Sequence, residues 1–198
     1  LKGLTPWQAK EAFKKKSKYE REIIKGHRYI ETQSPWSTAQ VLALNPSAKI
    51  IHTKIALRSE FINCAPWHSS EEPIIFCSSA YSAPFKGLHV AIRALVILRR
   101  RMPNISIRIA GLHQRKGLRK EGYIRWLNKL INHLGLQDAV KWLGAISADQ
   151  IVKELQSASV ALIPSYVESY CLAMAEAMVV GTPIVSAFTG GTSYLAKD

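Results

Sequence analysis

Two glutamates, Glu168 and Glu176, stand eight positions apart in the stretch ESYCLAMAEAMVVGTP, whose other residues are all uncharged. An ionised carboxylate only accepts hydrogen bonds, and each of its two oxygens can take hydroxyl donors. LAMAEAMVVG reads as a helix closed by Gly181. That places Glu168 in the loop before the helix and Glu176 near its second turn. The open amides at the helix start, at about Tyr170, Cys171 and Leu172, point outward with the positive end of the dipole. A diphosphate suits that position, and the flanking carboxylates suit sugar hydroxyls. At about 1.5 Å of rise per residue the two acids are expected roughly 12 Å apart along the axis. The ligand that such a set implies is a nucleotide sugar.

These groups need a scaffold that brings strand ends and helix starts to one edge. From residue 69 onward, short apolar runs alternate with amphipathic ones, which is the pattern of a parallel sheet covered by helices. Strands are predicted at 74–79, 105–111, 140–144, 160–165 and 183–187. Helices are predicted at 88–102, stopped by Pro103, and at 121–134, ended by Gly135. A further helix opens at Ser147, where Gln150 completes a capping box. Before residue 69 the pattern is helix, strand, helix, strand: a basic helix (10–26), HRYIETQS, a helix begun by Pro35, and KIIHTK. The expected fold is α/β: a Rossmann-like open parallel sheet with helices on both faces, plus the end of a second Rossmann-like domain. The boundary is placed at Glu71–Pro73, giving domains 1–70 and 71–198. In such sheets ligands bind at the carboxyl ends of the strands.

PSYVESYCLAMAEAMVVGTPIVS, with its E-x7-E spacing, its preceding Pro-Ser and its trailing Gly-Thr-Pro, resembles the signature of the retaining GT-B-fold glycosyltransferases of glycosyltransferase family four. FKGLHVAIRAL resembles the Lys-Gly element of the same family, and IRIAG and TGGTSYLAKD follow in the family's order. The resemblance implies a donor domain at 71–198, truncated at its C-terminus, after the end of an acceptor-side domain at 1–70, so the chain is expected to be a fragment. It implies that Lys86 of the Lys86-Gly87 pair contacts the donor diphosphate, Glu168 faces the donor sugar and Glu176 binds ribose hydroxyls. The backbone at Ser169, Tyr170, Cys171 and Leu172 would meet sugar and phosphate, with Gly190 and Gly191 in a loop beside the phosphates. Lys86 and Glu168 are then the expected catalytic residues. No cofactor and no metal are expected, the nucleotide sugar being a substrate; the acceptor would be a saccharide or a lipid-linked group. Two departures stand out. The arginine that often follows the family's first donor-domain strand is absent where this chain has Ser78, Ser79 and Ala80. Cys171 also occupies a position where the family commonly has glycine.

Composition bounds the alternatives. The net charge is +13, and 24 of the 27 basic residues, but only 8 of the 14 acidic ones, precede residue 136. Such a basic part attracts nucleic acid, anionic membrane or phosphorylated ligands, and charge alone does not choose among them. A basic nucleic-acid or surface-binding module and another nucleotide-sugar enzyme such as an epimerase therefore stand as alternatives. Nucleic acid is the less favoured partner, because Arg99, Arg100 and Arg101 fit a solvated helix end. Peripheral contact with a membrane is compatible with the charge. No apolar run approaches a bilayer span, and the first residues lack the pattern of a secretory signal. Cys64, Cys77 and Cys171 lack paired spacing, and His27, His52, His68, His89, His113 and His133 show no ligand spacing. These features point to the cytoplasm, with the inner face of a membrane as a compatible location. A dehydrogenase is disfavoured because no G-x-G-x-x-G follows the first strand.

Overall fold

The computed structural model describes residues 6–68, 70–81, 83–112 and 122–196. His113 and the first position of the helix expected at 121–134 lie outside them. The chain divides into two compact units, Leu1–Ile55 and Ala56–Asp198.

The first unit holds α1 (Pro6–Gly26), β1 (Tyr29–Thr32), α2 (Pro35–Leu44) and β2 (Lys49–His52), with β1 and β2 parallel and Tyr29 opposite Lys49. Its junctions follow local chemistry. The Ser34 hydroxyl accepts from the Ser37 amide, and Pro35 occupies the first turn of α2, where no amide donor is needed. Asn45 closes α2, and its buried amide donates to the carbonyls of Ile24 and His27, both at 2.9 Å, tying the end of α1 to the end of α2.

The second unit opens with α3 (Ser59–Ile62) and continues with β3 (Ile74–Tyr81), a 3-10 turn (Pro84–Lys86), α4 (Leu88–Arg99), β4 (Ser106–Leu112), α5 (Gly122–His133) and β5 (Val140–Gly144). Then come α6 (Ala148–Ser157), β6 (Val160–Ile163), α7 (Leu172–Val180), β7 (Ile184–Ser186) and α8 (Thr192–Leu195). All five strands are parallel, in the order β5-β4-β3-β6-β7. Side chains alternate across a strand. On β3, Ile75 and Cys77 therefore pack with Leu88, Ile92 and Leu95 of α4 and Leu127 of α5, whereas Ile74 and Phe76 pack with Phe61, Val152, Leu155, Ala177 and Val180 on the opposite face. Helices thus cover both faces, as the two-sided apolar strands require.

Residues 56–68 belong with this second compact unit, which begins at Ala56, whereas the sequence reading placed a boundary at Glu71–Pro73. Phe61 is fully buried in its core, the Trp67 amide donates to the Val180 carbonyl at 2.8 Å, and the Trp67 indole N–H donates to the Ala158 carbonyl at 2.7 Å. Element ends also differ from the sequence expectation. β6 stops at Ile163, because Pro164 has no amide to continue the ladder. α4 ends at Arg99, whose guanidinium forms a two-pronged pair with Asp138 at 2.7 and 2.8 Å.

Candidate functional site

The strand order sets the site. The connections from β3 run outward through β4 to β5, and the chain then returns to place β6 on the other side of β3. This reversal leaves a crevice at the carboxyl ends of β3 and β6, the point where open α/β sheets bind ligands. Lys86 lies just after β3 and Glu168 just after β6. Their side chains meet, Lys86 Nζ donating to Glu168 Oε1 at 2.7 Å, with side chains 21% and 13% exposed.

Glycines make that approach sterically feasible. Gly87 has φ +71, and a Cβ there would sit 1.8 Å from the Pro164 carbonyl oxygen. The Tyr166 amide donates to the Phe85 carbonyl at 2.8 Å beside it. Gly190 and Gly191 close on the same loop from the other side: Cβ atoms would meet the Glu168 and Ser169 carbonyl oxygens at 2.0 and 2.4 Å, and the Gly191 amide donates to the Glu168 carbonyl at 2.7 Å. Both glycines therefore shape the backbone that carries Glu168. An aromatic brace completes the loop. The Tyr166 ring stacks on His89 of α4 at 5.8 Å, and His89 Nδ1 is 2.9 Å from the Tyr123 hydroxyl of α5. Burial and the nearby Arg93 lower the His89 pKa.

Glu176 sits on the second turn of α7, buried against the unit's interior. Only its own turn and the one before are helical, since α7 starts at Leu172. The remaining separation from Glu168 is loop, so the axial rise expected from eight helical positions does not apply. Its partner is Arg58, unmarked by any motif and 118 positions away: Arg58 Nη2 donates to Glu176 Oε1 at 2.9 Å. Burial raises the Glu176 pKa, and the Arg58 hydrogen bond and charge oppose that rise. Arg58 is a residue that the sequence reading missed, because nothing local to it signals its partner.

Between the two acid–base pairs lies the start of α7. The amides of Tyr170, Cys171 and Leu172 make no hydrogen bond among the described residues. Cys171 is the one described non-glycine residue with positive φ, at 78°. Its thiol does not gain acidity from the helix start. Burial and the neighbouring carboxylates push its pKa up to about 11. Among the described residues no group of three or more His, Cys, Asp or Glu converges as a metal site, and no helix is long and apolar enough to cross a membrane.

The family described as "Glycosyl transferases group 1" matches residues 63–198. The D-inositol 3-phosphate glycosyltransferase of Streptomyces griseus is 35% identical over 120 residues, which is 58% of this chain and 25% of that protein. The fold resembles sucrose-phosphate synthase from Thermosynechococcus elongatus, with a TM-score of 0.76 at 19% identity over 90% of this chain and 45% of that one. It also resembles TarM of S. aureus, solved in complex with UDP, with a TM-score of 0.75 at 20% identity over 91% of this chain and 35% of that one. The chain thus spans about a quarter of the curated relative and less than half of either solved chain.

Proposed function

The chain belongs to the group 1 glycosyl transferases, and on that premise we propose that its second unit binds the nucleotide-sugar donor of a family-four enzyme that transfers the sugar with retention of configuration. The observation that carries this reading is a matched pair of cation-anchored carboxylates, Lys86–Glu168 and Arg58–Glu176, flanking the open amides of α7. Each carboxylate has one oxygen held by a cation, and its second oxygen has no partner among the described residues. A half-satisfied carboxylate in a nearly buried position is costly unless a ligand hydroxyl or water completes it.

Negative charge grows on a departing nucleoside diphosphate as the glycosidic bond breaks. In this reading Lys86 and the amides of Tyr170, Cys171 and Leu172 stabilise that charge, the need that a divalent ion meets elsewhere. In this reading Glu168 accepts hydroxyls of the donor sugar, Glu176 accepts those of the ribose, and the acceptor is a saccharide or lipid-linked group at the cytoplasmic side. The test is calorimetric titration with uridine, guanosine and adenosine diphosphates. One of them is expected to bind, and Lys86→Met is expected to weaken it about 10- to 100-fold, the range of a charge-assisted hydrogen bond. Absence of binding by all three, or binding indifferent to Lys86→Met, refutes the reading. Steeply salt-dependent affinity for RNA without nucleotide binding would favour a basic module instead.

A further inference from the structure

Arg58 has a built position. It lies at the N-terminal cap of α3 in extended backbone conformation, and its guanidinium stands 4.9 Å over the ring of Phe61, itself fully buried. From there Nη2 reaches Glu176 Oε1 at 2.9 Å. The Glu176 side chain is 10% exposed, while that of Arg58 is 50% exposed. One end of the pair is thus anchored in the core, and the other keeps contact with solvent. Oε2 of Glu176 has no partner among the described residues.

We propose that Arg58 is a positioning residue for the nucleotide: it holds one oxygen of Glu176 so that the other is presented to the ribose hydroxyls of a bound nucleoside diphosphate. This rests on the donor-site reading above. A buried carboxylate without a cation favours its neutral form and rotates among several rotamers; a guanidinium fixed over Phe61 removes both freedoms. The ionisable groups that act on Glu176 are few. Arg58 faces it from α3, and the Cys171 thiol, which feels the Glu176 charge, faces it from the cap of α7, with Lys86 and Glu168 acting on that same thiol. No ionisable group of α6, β6, β7 or α8 shifts it among the described residues.

The experiment measures affinity of the full chain for uridine, guanosine and adenosine diphosphates between pH 5.5 and 8.5, in the wild type, Arg58→Met, Arg58→Lys, Arg58→Gln and Glu176→Gln. Each variant's affinity is expressed relative to the wild type at the same pH, so that titration of the ligand's terminal phosphate, at about pH 6, cancels. Relative to the wild type, Arg58→Met should lose affinity several-fold between pH 8.5 and pH 5.5, since losing the adjacent cation raises further a carboxyl that burial already raises. Arg58→Lys should follow the wild type across the range, and Glu176→Gln should be weak at every pH. Should Arg58→Met not fold, Arg58→Gln takes its place with the same expected slope. A ratio to wild type that does not change with pH in the neutral variants, whether near one or uniformly reduced, overturns the proposal. If Glu176→Gln weakens binding while the Arg58 variants do not, only this proposal falls. If the wild type binds none of the three, or Glu176→Gln binds as well as wild type, the donor-site reading falls and this one with it.

Discussion

Alanine at position 190 separates the local demand of a turn from the demand of the site. Gly190 has φ +55, and a Cβ on it would lie 2.0 Å from the Glu168 carbonyl oxygen. Ordinary contact begins at 3.4 Å, so the two backbones must part by 1.4 Å. That movement endangers the 2.7 Å bond from the Gly191 amide to the Glu168 carbonyl and carries the loop away from Lys86, now 2.7 Å from the carboxylate. Gly135 supplies the control: it has φ +66, and a Cβ on it would meet nothing within 4 Å. Both alanines meet the left-handed penalty of about 1–2 kcal/mol. Gly190→Ala adds the broken buried hydrogen bond, about 1–3 kcal/mol. Urea denaturation should therefore show Gly190→Ala less stable than Gly135→Ala by about 1–3 kcal/mol. Nucleoside diphosphate affinity should fall only in the former. Equal losses of stability with equal affinities would refute the claim that this glycine shapes the Glu168 loop.

The remaining predictions concern charge, thiols and the segment before β3. Because burial raises the Glu176 pKa in the folded state, its favourable contribution exists below the unfolded pKa and is lost as pH rises through the folded one; at neutral pH its charge opposes folding. Glu176→Gln should thus melt higher than wild type at pH 7, with the gap closing as pH falls through the carboxylate range, while nucleotide binding weakens; a gap that widens in acid contradicts this. Iodoacetamide at pH 8 should modify the half-buried Cys64 first, since Cys77 and Cys171 are buried with thiols pushed up to about 12 and about 11, and urea should expose all three; mass spectrometry reads the order. Trp67→Phe removes the 2.7 Å indole bond to Ala158 and should destabilise the chain by about 1 kcal/mol in urea, whereas an unchanged midpoint would show that this bond adds nothing to the stability of the second unit.

Much of the layout is legible in the residues themselves. The alternation of apolar runs marks all five strands of the sheet. Ser147 and Gln150 form the capping box they spell, and Gly181 closes α7 in the left-handed conformation its position predicts. These signals act over a few positions, through side chains bonding to nearby amides and through glycine's freedom at positive φ, so a linear reading reaches them. The spacing of Glu168 and Glu176 likewise marks two carboxylates around a helix start. Strand order is different in kind. That β6 lies beside β3, bringing Lys86 onto Glu168 across 82 positions, follows from crossover connections and the burial of both sheet faces. Arg58 on Glu176, Arg99 on Asp138 and Asn45 on the end of α1 arise in the same way. Each is a contact between side chains whose neighbours in the chain say nothing of one another, and only packing of the layers brings them together.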